Sequence, residues 1–210
     1  MPTMQPKEIE QDGYLSRLRR RGEADGIPII MEETERFLSC VLAMVQPKRI
    51  LEIGTAMAYS TLFFAKNCPE GEIFTAEIDE EMLSLASANI TASGAGDRIH
   101  LYPGDGADLA DSLIRKEVPP MDLIFLDGGK SHYDRFLTAI WPLLRQGTVL
   151  LADNIFQRGL TEQDPRYNHK HRTSIVAMRQ FMQRIETNPH LQTTILPIGD
   201  GLSLSIYRNV

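Results

Sequence analysis

The sequence predicts an α/β fold built on a seven-stranded, mostly parallel sheet that ends in an antiparallel hairpin and is preceded by helices. Three observations support this prediction. Five short apolar segments alternate with helical segments between residues 49 and 152, a pattern typical of right-handed βαβ units. Two apolar segments near the C-terminus flank Gly199-Asp200-Gly201, which indicates a strand, a tight turn and a second strand. Two helical segments precede the first strand.

The bounds of these elements follow from hydrophobic periodicity and from the positions of glycine and proline. The predicted strands occupy residues 49–53, 72–78, 99–102, 122–126, 148–152, 193–197 and 202–207. The predicted helices occupy residues 7–21, 32–45, 60–67, 80–93, 108–117, 133–144 and 173–186. Residues 22–28, with Gly22 at their start, are expected to end the first helix. We expect residues 1–210 to form one domain, with residues 1–46 as a helical cap.

The composition disfavours several classes of protein. The chain has 210 residues, a net charge of −6 and two cysteines, Cys40 and Cys68, without metal-ligand spacing. The polar N-terminus does not read as a signal peptide, and the apolar runs are too short for a membrane span. We therefore expect a cytoplasmic protein with free thiols and no membrane partner. The acidic balance disfavours nonspecific binding of nucleic acid over the whole surface. Two basic clusters stand out, Arg17, Arg19, Arg20 and Arg21, and then Arg166, His169, Lys170, His171 and Arg172.

Three strand ends carry residues suited to an adenosine ligand, because ligands of open α/β sheets bind at the carboxyl ends of the strands. Gly54 follows the first strand and permits a tight turn close to a ligand. The other glycines of a dinucleotide fingerprint are absent, which disfavours a pyrophosphate and so an NAD-linked oxidoreductase. Glu77 follows the second strand and is placed to accept the hydroxyl groups of a ribose. Asp105 and Gly106 follow the third, where the side chain or backbone can bind an adenine amino group.

Oxygen ligands follow the next two strands. Asp127 comes after the fourth strand, and Asp153 and Asn154 come after the fifth. Two carboxylates and an amide suit Mg²⁺ or another hard cation, such as Ca²⁺ or Mn²⁺. A metal ion lowers the pKa of a hydroxyl that it binds, so this set predicts transfer of a group to a metal-bound hydroxyl oxygen. Lys130 is the first candidate for the general base, and His132 is a competing candidate.

The strand-end segments together resemble the cation-dependent O-methyltransferases of the caffeoyl-CoA and catechol type. The segments that carry this resemblance are LEIGTAMAYS, AEID, GDGAD, FLDGGKSHY, LLADNI and GDGLSLS. The resemblance implies the class I methyltransferase fold, S-adenosylmethionine as cofactor and a divalent cation, with methyl transfer to a metal-bound hydroxyl. It implies Lys130 and Asp127 as catalytic residues, and Asp127, Asp153 and Asn154 as metal ligands. The implied cofactor contacts are Ile30, Glu52, Gly54, Ser60, Glu77, Asp105, Gly106, Asp127 and Tyr133.

Four segments resemble the bacterial tRNA 5-hydroxyuridine methyltransferases in particular, namely GIPII, DNIFQRGL, NHKHR and PIGDGLSLS. This resemblance implies tRNA as the methyl acceptor and a homodimer as the assembly. A small hydroxylated aromatic molecule of the catechol kind is the alternative acceptor. A module that binds the cofactor without catalysis is an alternative of another class, although the retained carboxylates and Lys130 argue against it. The sequence departs from the family's usual DAAK pattern at Gly128 and Gly129.

Overall fold

A seven-stranded sheet forms the centre of the molecule, as the sequence predicts. The computed structural model describes residues 6–162, 164 and 170–210. The sheet order is β3-β2-β1-β4-β5-β7-β6, in which the first five strands are parallel and β7 runs antiparallel to both β5 and β6. The strands are β1 (Arg49–Ile53), β2 (Glu72–Glu77), β3 (Ile99–Pro103), β4 (Leu123–Leu126), β5 (Val149–Ala152), β6 (Leu191–Leu196) and β7 (Leu202–Tyr207).

Helices cover both faces of this sheet because alternate residues of its buried strands point to opposite sides. Leu123 and Phe125 of β4 join one apolar core, and Ile124 and Leu126 join the other. The first core packs against α1 to α4, and the second against α5 to α7. The helices are α1 (Pro6–Asp25), α2 (Glu32–Val45), α3 (Tyr59–Asn67), α4 (Glu80–Ser93), α5 (Gly106–Arg115), α6 (Tyr133–Ile140) and α7 (Arg172–Thr187). Within the described part of the chain, no helix has the length and apolar character needed to cross a membrane.

The first helix does not end at Gly22, so this prediction is wrong. Helix α1 continues to Asp25, and Gly26 with φ +68° ends it. An ideal Cβ on Gly22 would lie 2.9 Å from Sδ of Met57 and 3.2 Å from Cγ2 of Ile29. The glycine therefore allows α1 to pack closely against the loop after β1, and this contact outweighs its weak helix propensity.

The predicted helix 133–144 is also shorter than expected. Helix α6 ends at Ile140, and the 3₁₀ turn Trp141–Leu143 follows it. Pro142 has no backbone N–H to donate to the preceding turn, so it does not continue the α-helical hydrogen bonding.

Candidate active site

A cavity of about 510 Å³ lies at the carboxyl edge of the parallel strands. The loops after β1, β2, β3 and β4 line it, together with the apolar residues 27–30 between α1 and α2, which we call the strap. Its position is the one expected for a ligand of an open α/β sheet, and its volume lies in the range of small-molecule sites. Of the predicted cofactor contacts, those that line the cavity are Ile30, Gly54, Ser60, Glu77, Asp105, Gly106 and Asp127.

Two glycines from different loops touch at the floor of this cavity. Gly54 has φ +104°, and an ideal Cβ on it would lie 2.7 Å from the backbone N of Gly128 and 2.8 Å from its Cα. A Cβ on Gly128 would in turn lie 2.8 Å from Cα of Gly54. Both neighbours are backbone atoms, so neither can yield without moving a loop. The departure at Gly128 from the family pattern is therefore compatible with a closer contact between the loops after β1 and β4.

Glu77 and Asp105 line the cavity while also ordering its backbone. Oε2 of Glu77 accepts a hydrogen bond of 2.7 Å from the N–H of Ala56, and Oε1 accepts from the N–H groups of Ile78 and Asp79, both at 2.9 Å. Asp105 caps α5 by accepting from the N–H of Ala107 at 2.8 Å, and it forms an ion pair with Arg135. Each carboxylate keeps lone pairs for a ligand, since a carboxylate has about four acceptor positions.

Glu52 lies behind the cavity and does not line it, although the resemblance placed it among the cofactor contacts. The residue is 0% exposed, and its carboxyl group accepts hydrogen bonds from the hydroxyls of Ser60, Thr61 and Thr75. These three residues belong to α3 and β2, so Glu52 ties β1 to both elements, and α3 is the helix that follows the loop after β1. Burial raises its pKa to about 7, and the charge of Glu77 adds to this effect, while the three hydroxyls oppose it.

Glu52→Gln is expected to reduce the pH dependence of stability. Because the pKa of Glu52 rises from 4.5 to about 7 on folding, the folded state holds more protons than the unfolded state between these values. The contribution of protonated Glu52 to the stability of the folded state is therefore complete below pH 4.5 and is lost as the pH rises through about 7. Urea unfolding at several pH values should show the wild type losing up to about 3 kcal/mol relative to the variant. Glu70→Gln, at an exposed turn position, is the control, and equal slopes for Glu52→Gln and wild type would contradict the assignment.

The three predicted metal ligands follow neighbouring strands at the same edge. Leu126 pairs with Ala152 in the parallel β4–β5 ladder, so Asp127 and Asp153 occupy equivalent positions just beyond the strands. Burial and the nearby charge of Asp153 raise the pKa of Asp127 well above its usual value. Burial likewise raises the pKa of Asp153, whose Oδ2 is buried without a hydrogen-bond partner among the described residues. Two desolvated acids side by side are costly unless a cation or a proton compensates them.

These carboxylates do not form a metal site by themselves. Within residues 6–162, 164 and 170–210, no group of three or more His, Cys, Asp or Glu side chains is placed to hold a metal ion. The candidate set contains two carboxylates and the amide of Asn154, which lines the cavity. Oxygen donors of this kind fit a hard cation that keeps several waters, as Mg²⁺ does.

The turn between β6 and β7 holds the loop that carries Asn154. The N–H groups of Ile155 and Phe156 donate to the carbonyls of Gly201 and Asp200, each at 3.0 Å. Oδ1 of Asp200 also accepts from the N–H of Arg158 at 2.6 Å. An ideal Cβ on Gly201 would lie 2.5 Å from the ring of Phe156, so the loop packs directly on this glycine. The C-terminal hairpin thus fixes the position of a predicted metal ligand.

Lys130 and His132, the two candidate bases, both line the cavity and lie in the short 3₁₀ turn Lys130–His132. Lys130 is partly buried, and His132 is exposed. The N–H of His132 donates to the carbonyl of Gly129 at 2.6 Å, and Gly129 has φ +62°. The glycine therefore allows the loop to reverse before the turn and to place both side chains at the cavity.

Tyr133 does not line the cavity, which departs from the cofactor contact that the resemblance implied. It is 1% exposed, packs edge-on against Phe181, and donates to the carbonyls of Leu126 and Asp153, both at 3.0 Å. Burial and the charges of Asp127 and Asp153 raise its pKa, so its hydroxyl remains a donor. Tyr133 therefore braces the ends of β4 and β5 beneath the candidate metal site.

Sequence reasoning missed several residues that line the cavity. Phe136 lies one helical turn after Tyr133 and faces the cavity, and Tyr59 and Ile78 lie beside Ser60 and Glu77. Spacing on α6 does not indicate Phe136, because Tyr133, three residues earlier, does not itself line the cavity. The strap residues Ile27, Pro28 and Ile29 belong to the segment GIPII, and its resemblance to the tRNA 5-hydroxyuridine methyltransferases is the signal that could have indicated them.

Comparison with known proteins agrees with this geometry. The chain matches the sequence model described as O-methyltransferase over residues 7–208. A catechol O-methyltransferase of Niastella koreensis is 28% identical over 207 residues, which cover 95% of this chain and 91% of that protein. A catechol O-methyltransferase of Mycobacterium tuberculosis is 29% identical over 210 residues, with coverage of 95% and 91%.

A solved structure shows the same fold. The O-methyltransferase from Bacillus cereus in complex with S-adenosylhomocysteine matches with a TM-score of 0.82 and 24% identity, over 93% of this chain and 91% of that chain. Its agreement covers the sheet and the surrounding helices described above. Because the family match extends over nearly all of the sequence, the chain belongs to the O-methyltransferase family.

Proposed function

We propose that the protein transfers the methyl group of S-adenosylmethionine to a hydroxyl oxygen, with a divalent cation held by Asp127, Asp153 and Asn154. The observation that carries the cation is the buried Oδ2 of Asp153, which has no partner among the described residues and lies beside a second desolvated acid. Buried polar atoms in native proteins nearly always have a partner, so this carboxylate oxygen is suited to bind a cation.

The order of the strands suggests how the methyl donor lies. Asp105 follows β3 and Glu77 follows β2, so the adenine and ribose would be bound at that end of the edge. Gly54 follows β1, next to β4 and Asp127, which leaves the methionine part of the donor closest to the candidate metal ligands. A cavity of about 510 Å³ is large enough for a ligand of this class.

The residues of the chain then have separate tasks. When bound, a divalent cation lowers the pKa of a hydroxyl that it coordinates. Lys130, three residues after Asp127, is the proposed acceptor of the hydroxyl proton, and His132 is the competing one. Tyr133 and the β6–β7 turn keep the ends of β4 and β5 in place. Apart from the removal of this proton, catalysis would depend on positioning, because methyl transfer requires the donor and the acceptor to be in line.

Removal of divalent cations is expected to abolish methyl transfer. In EDTA the rate should fall by at least about 100-fold, because the acceptor hydroxyl would keep its proton near neutral pH. Added Mg²⁺ should restore it, and the affinity for S-adenosylhomocysteine should change by less than about twofold, because Glu77 and Asp105, the proposed partners of its adenosine part, are not metal ligands. A radiolabelled methyl-transfer assay and calorimetry test both points. Unchanged activity in EDTA would refute the cation.

The first candidate for the acceptor is a small aromatic molecule with adjacent hydroxyls. The two curated relatives described above carry the name catechol O-methyltransferase, which supports this class. The second candidate is the 5-hydroxyuridine of a tRNA. One observation favours it, a group of exposed basic side chains formed by Arg158, Lys170 and Arg172. The side chain of Gln157 donates to the carbonyl of Ser174, so the loop that carries Arg158 lies close to the start of α7. Arg166 and His169 of the predicted basic cluster lie outside the described residues.

A direct comparison of acceptors distinguishes the two candidates. The enzyme would be assayed with a catechol panel and with total tRNA from a strain that lacks this protein. Binding to tRNA should weaken steeply with salt because counterions are released from the phosphates, whereas a neutral catechol should show little salt dependence. If undermodified tRNA accepts no methyl group and a catechol does, the tRNA candidate is wrong.

A further inference from the structure

Arg19 differs from the other arginines of its cluster. The sequence presents Arg17, Arg19, Arg20 and Arg21 as one basic patch, yet the side chain of Arg19 is only 15% exposed. Its Nε donates to Oη of Tyr59 at 3.1 Å, and its Nη2 donates to the carbonyl of Ile30 at 3.2 Å. The same guanidinium forms an ion pair with Glu35 and lies 4.7 Å from the centre of the Tyr59 ring. Arg20 and Arg21, in contrast, are exposed.

These partners come from three separate segments around the cavity. Ile30 belongs to the strap, Glu35 to the first turns of α2, and Tyr59 begins α3. Tyr59 also donates to Oε2 of Glu35 at 2.7 Å, which closes the network. Burial and this hydrogen bond raise the pKa of Tyr59, so its hydroxyl remains protonated. Ile30 and Tyr59 line the cavity, whereas Arg19 does not.

The strap crosses one side of the cavity mouth. At one end, Ile27 lies beside Met82 and Leu85 of α4, the helix after β2. At the other end, Met31 lies against the β6–β7 turn, since its Sδ is 3.4 Å from an ideal Cβ on Gly199. In the part of the chain that the structure describes, residues 28–30 make no backbone–backbone hydrogen bond. The N–H of Ile27 donates to the carbonyl of Gly22 at 2.9 Å, so the strap is tied at its first residue, and Arg19 and apolar packing hold the rest of it.

We propose that Arg19 is a positioning residue for the cofactor, which fixes Ile30 and Tyr59 as one wall of the S-adenosylmethionine cavity without touching the ligand. This inference rests on the proposed function of that cavity. Ordering a free backbone segment costs conformational entropy, which opposes binding. A network that orders the strap before binding removes part of that cost from the binding step, so it raises affinity.

The test compares Arg19→Gln with Arg21→Gln, a matched change at an exposed position of the same helix. Calorimetry with S-adenosylhomocysteine should give a Kd about tenfold higher for Arg19→Gln, because the charge-assisted contacts to the wall are lost. The Kd of Arg21→Gln should stay within about twofold of wild type. Adenosine should be affected less than S-adenosylhomocysteine, because Tyr59 begins the helix that follows β1, whereas Asp105 follows β3, two strands away in the sheet. A general loss of structure would weaken both ligands.

Hydrogen exchange and a milder variant complete the test. Arg19→Gln should speed amide exchange in residues 27–31 while α5 and α6 keep the wild-type pattern. Tyr59→Phe keeps the ring and removes one hydroxyl, so it should weaken binding by a smaller factor, and it remains informative if Arg19→Gln does not fold. Wild-type affinity in both variants would overturn the proposal. Absence of S-adenosylhomocysteine binding by the wild type would instead overturn the proposed function.

Discussion

Asp153→Ala is expected to lower the rate of methyl transfer by at least about 1,000-fold while leaving the affinity for S-adenosylhomocysteine within about twofold. Asp153 is 1% exposed, and its free Oδ2 is the strongest single indication of a cation in the structure. It does not line the cavity where the adenosine residues lie, so its removal should affect the metal and spare the cofactor. Mn²⁺ binding measured by electron paramagnetic resonance should be lost together with activity.

Two further variants make this prediction specific. Asp153→Asn keeps the shape of the side chain and the acceptor for the N–H of Asn154, so it should fold normally and still lose Mn²⁺ affinity. Asp111→Ala removes an acid from the exposed face of α5 and should behave as wild type in all three measurements. Loss of S-adenosylhomocysteine affinity in Asp153→Asn would contradict the prediction, because it would show that Asp153 contributes to cofactor binding.

Gly54→Ala is expected to destabilise the protein by about 2–4 kcal/mol and to remove measurable cofactor binding. The added Cβ would meet the backbone of Gly128 at 2.7 Å and 2.8 Å, at a φ of +104° that disfavours side chains. Relief of this clash must separate the loop after β1, which leads to Ser60 in α3, from the loop after β4, which carries Asp127. Urea unfolding and calorimetry with S-adenosylhomocysteine measure the two effects.

Gly94→Ala is the matched control for this clash. Gly94 also has positive φ, +71°, but an ideal Cβ there has no atom within 4 Å. Gly94→Ala should therefore lower the free energy of unfolding only by the backbone strain, about 1 kcal/mol, and should not alter cofactor affinity. If Gly54→Ala is no more destabilising than Gly94→Ala, the contact between the two loops does not constrain the site.

The residues that follow the strands could be predicted because the topology itself brings them together. Once alternating strands and helices indicate a parallel sheet, Gly54, Glu77, Asp105, Asp127 and Asn154 must lie at one edge, and they do line one cavity. No detail of side-chain packing enters that argument. The bounds of α2 and α4 also match the prediction, because local patterns set them. Asp79 and Gly94 cap α4, whereas hydrophobic periodicity indicates α2.

The roles of Glu52, Tyr133 and Arg19 could not be predicted in this way. Each lies next to a residue that faces the cavity or solvent, and each turns instead toward a distant part of the chain. A side chain's direction at such a position depends on which partners satisfy its polar atoms, and these include Thr75, 23 residues from Glu52, and Asp153, 20 residues from Tyr133. Spacing along the chain carries no information about such contacts.

The sequence by itself therefore determined the sheet and the edge at which the cavity lies, and it predicted the oxygen donors of the candidate metal site. The tertiary structure alone decided which side chains touch the cavity and which ones support it from behind. It also showed that α1 continues past Gly22 to Asp25 and that the backbones of Gly54 and Gly128 are in contact. The physical reason is that strand order follows from local hydrophobic patterns, whereas close packing and hydrogen-bond satisfaction are settled only between segments remote in sequence.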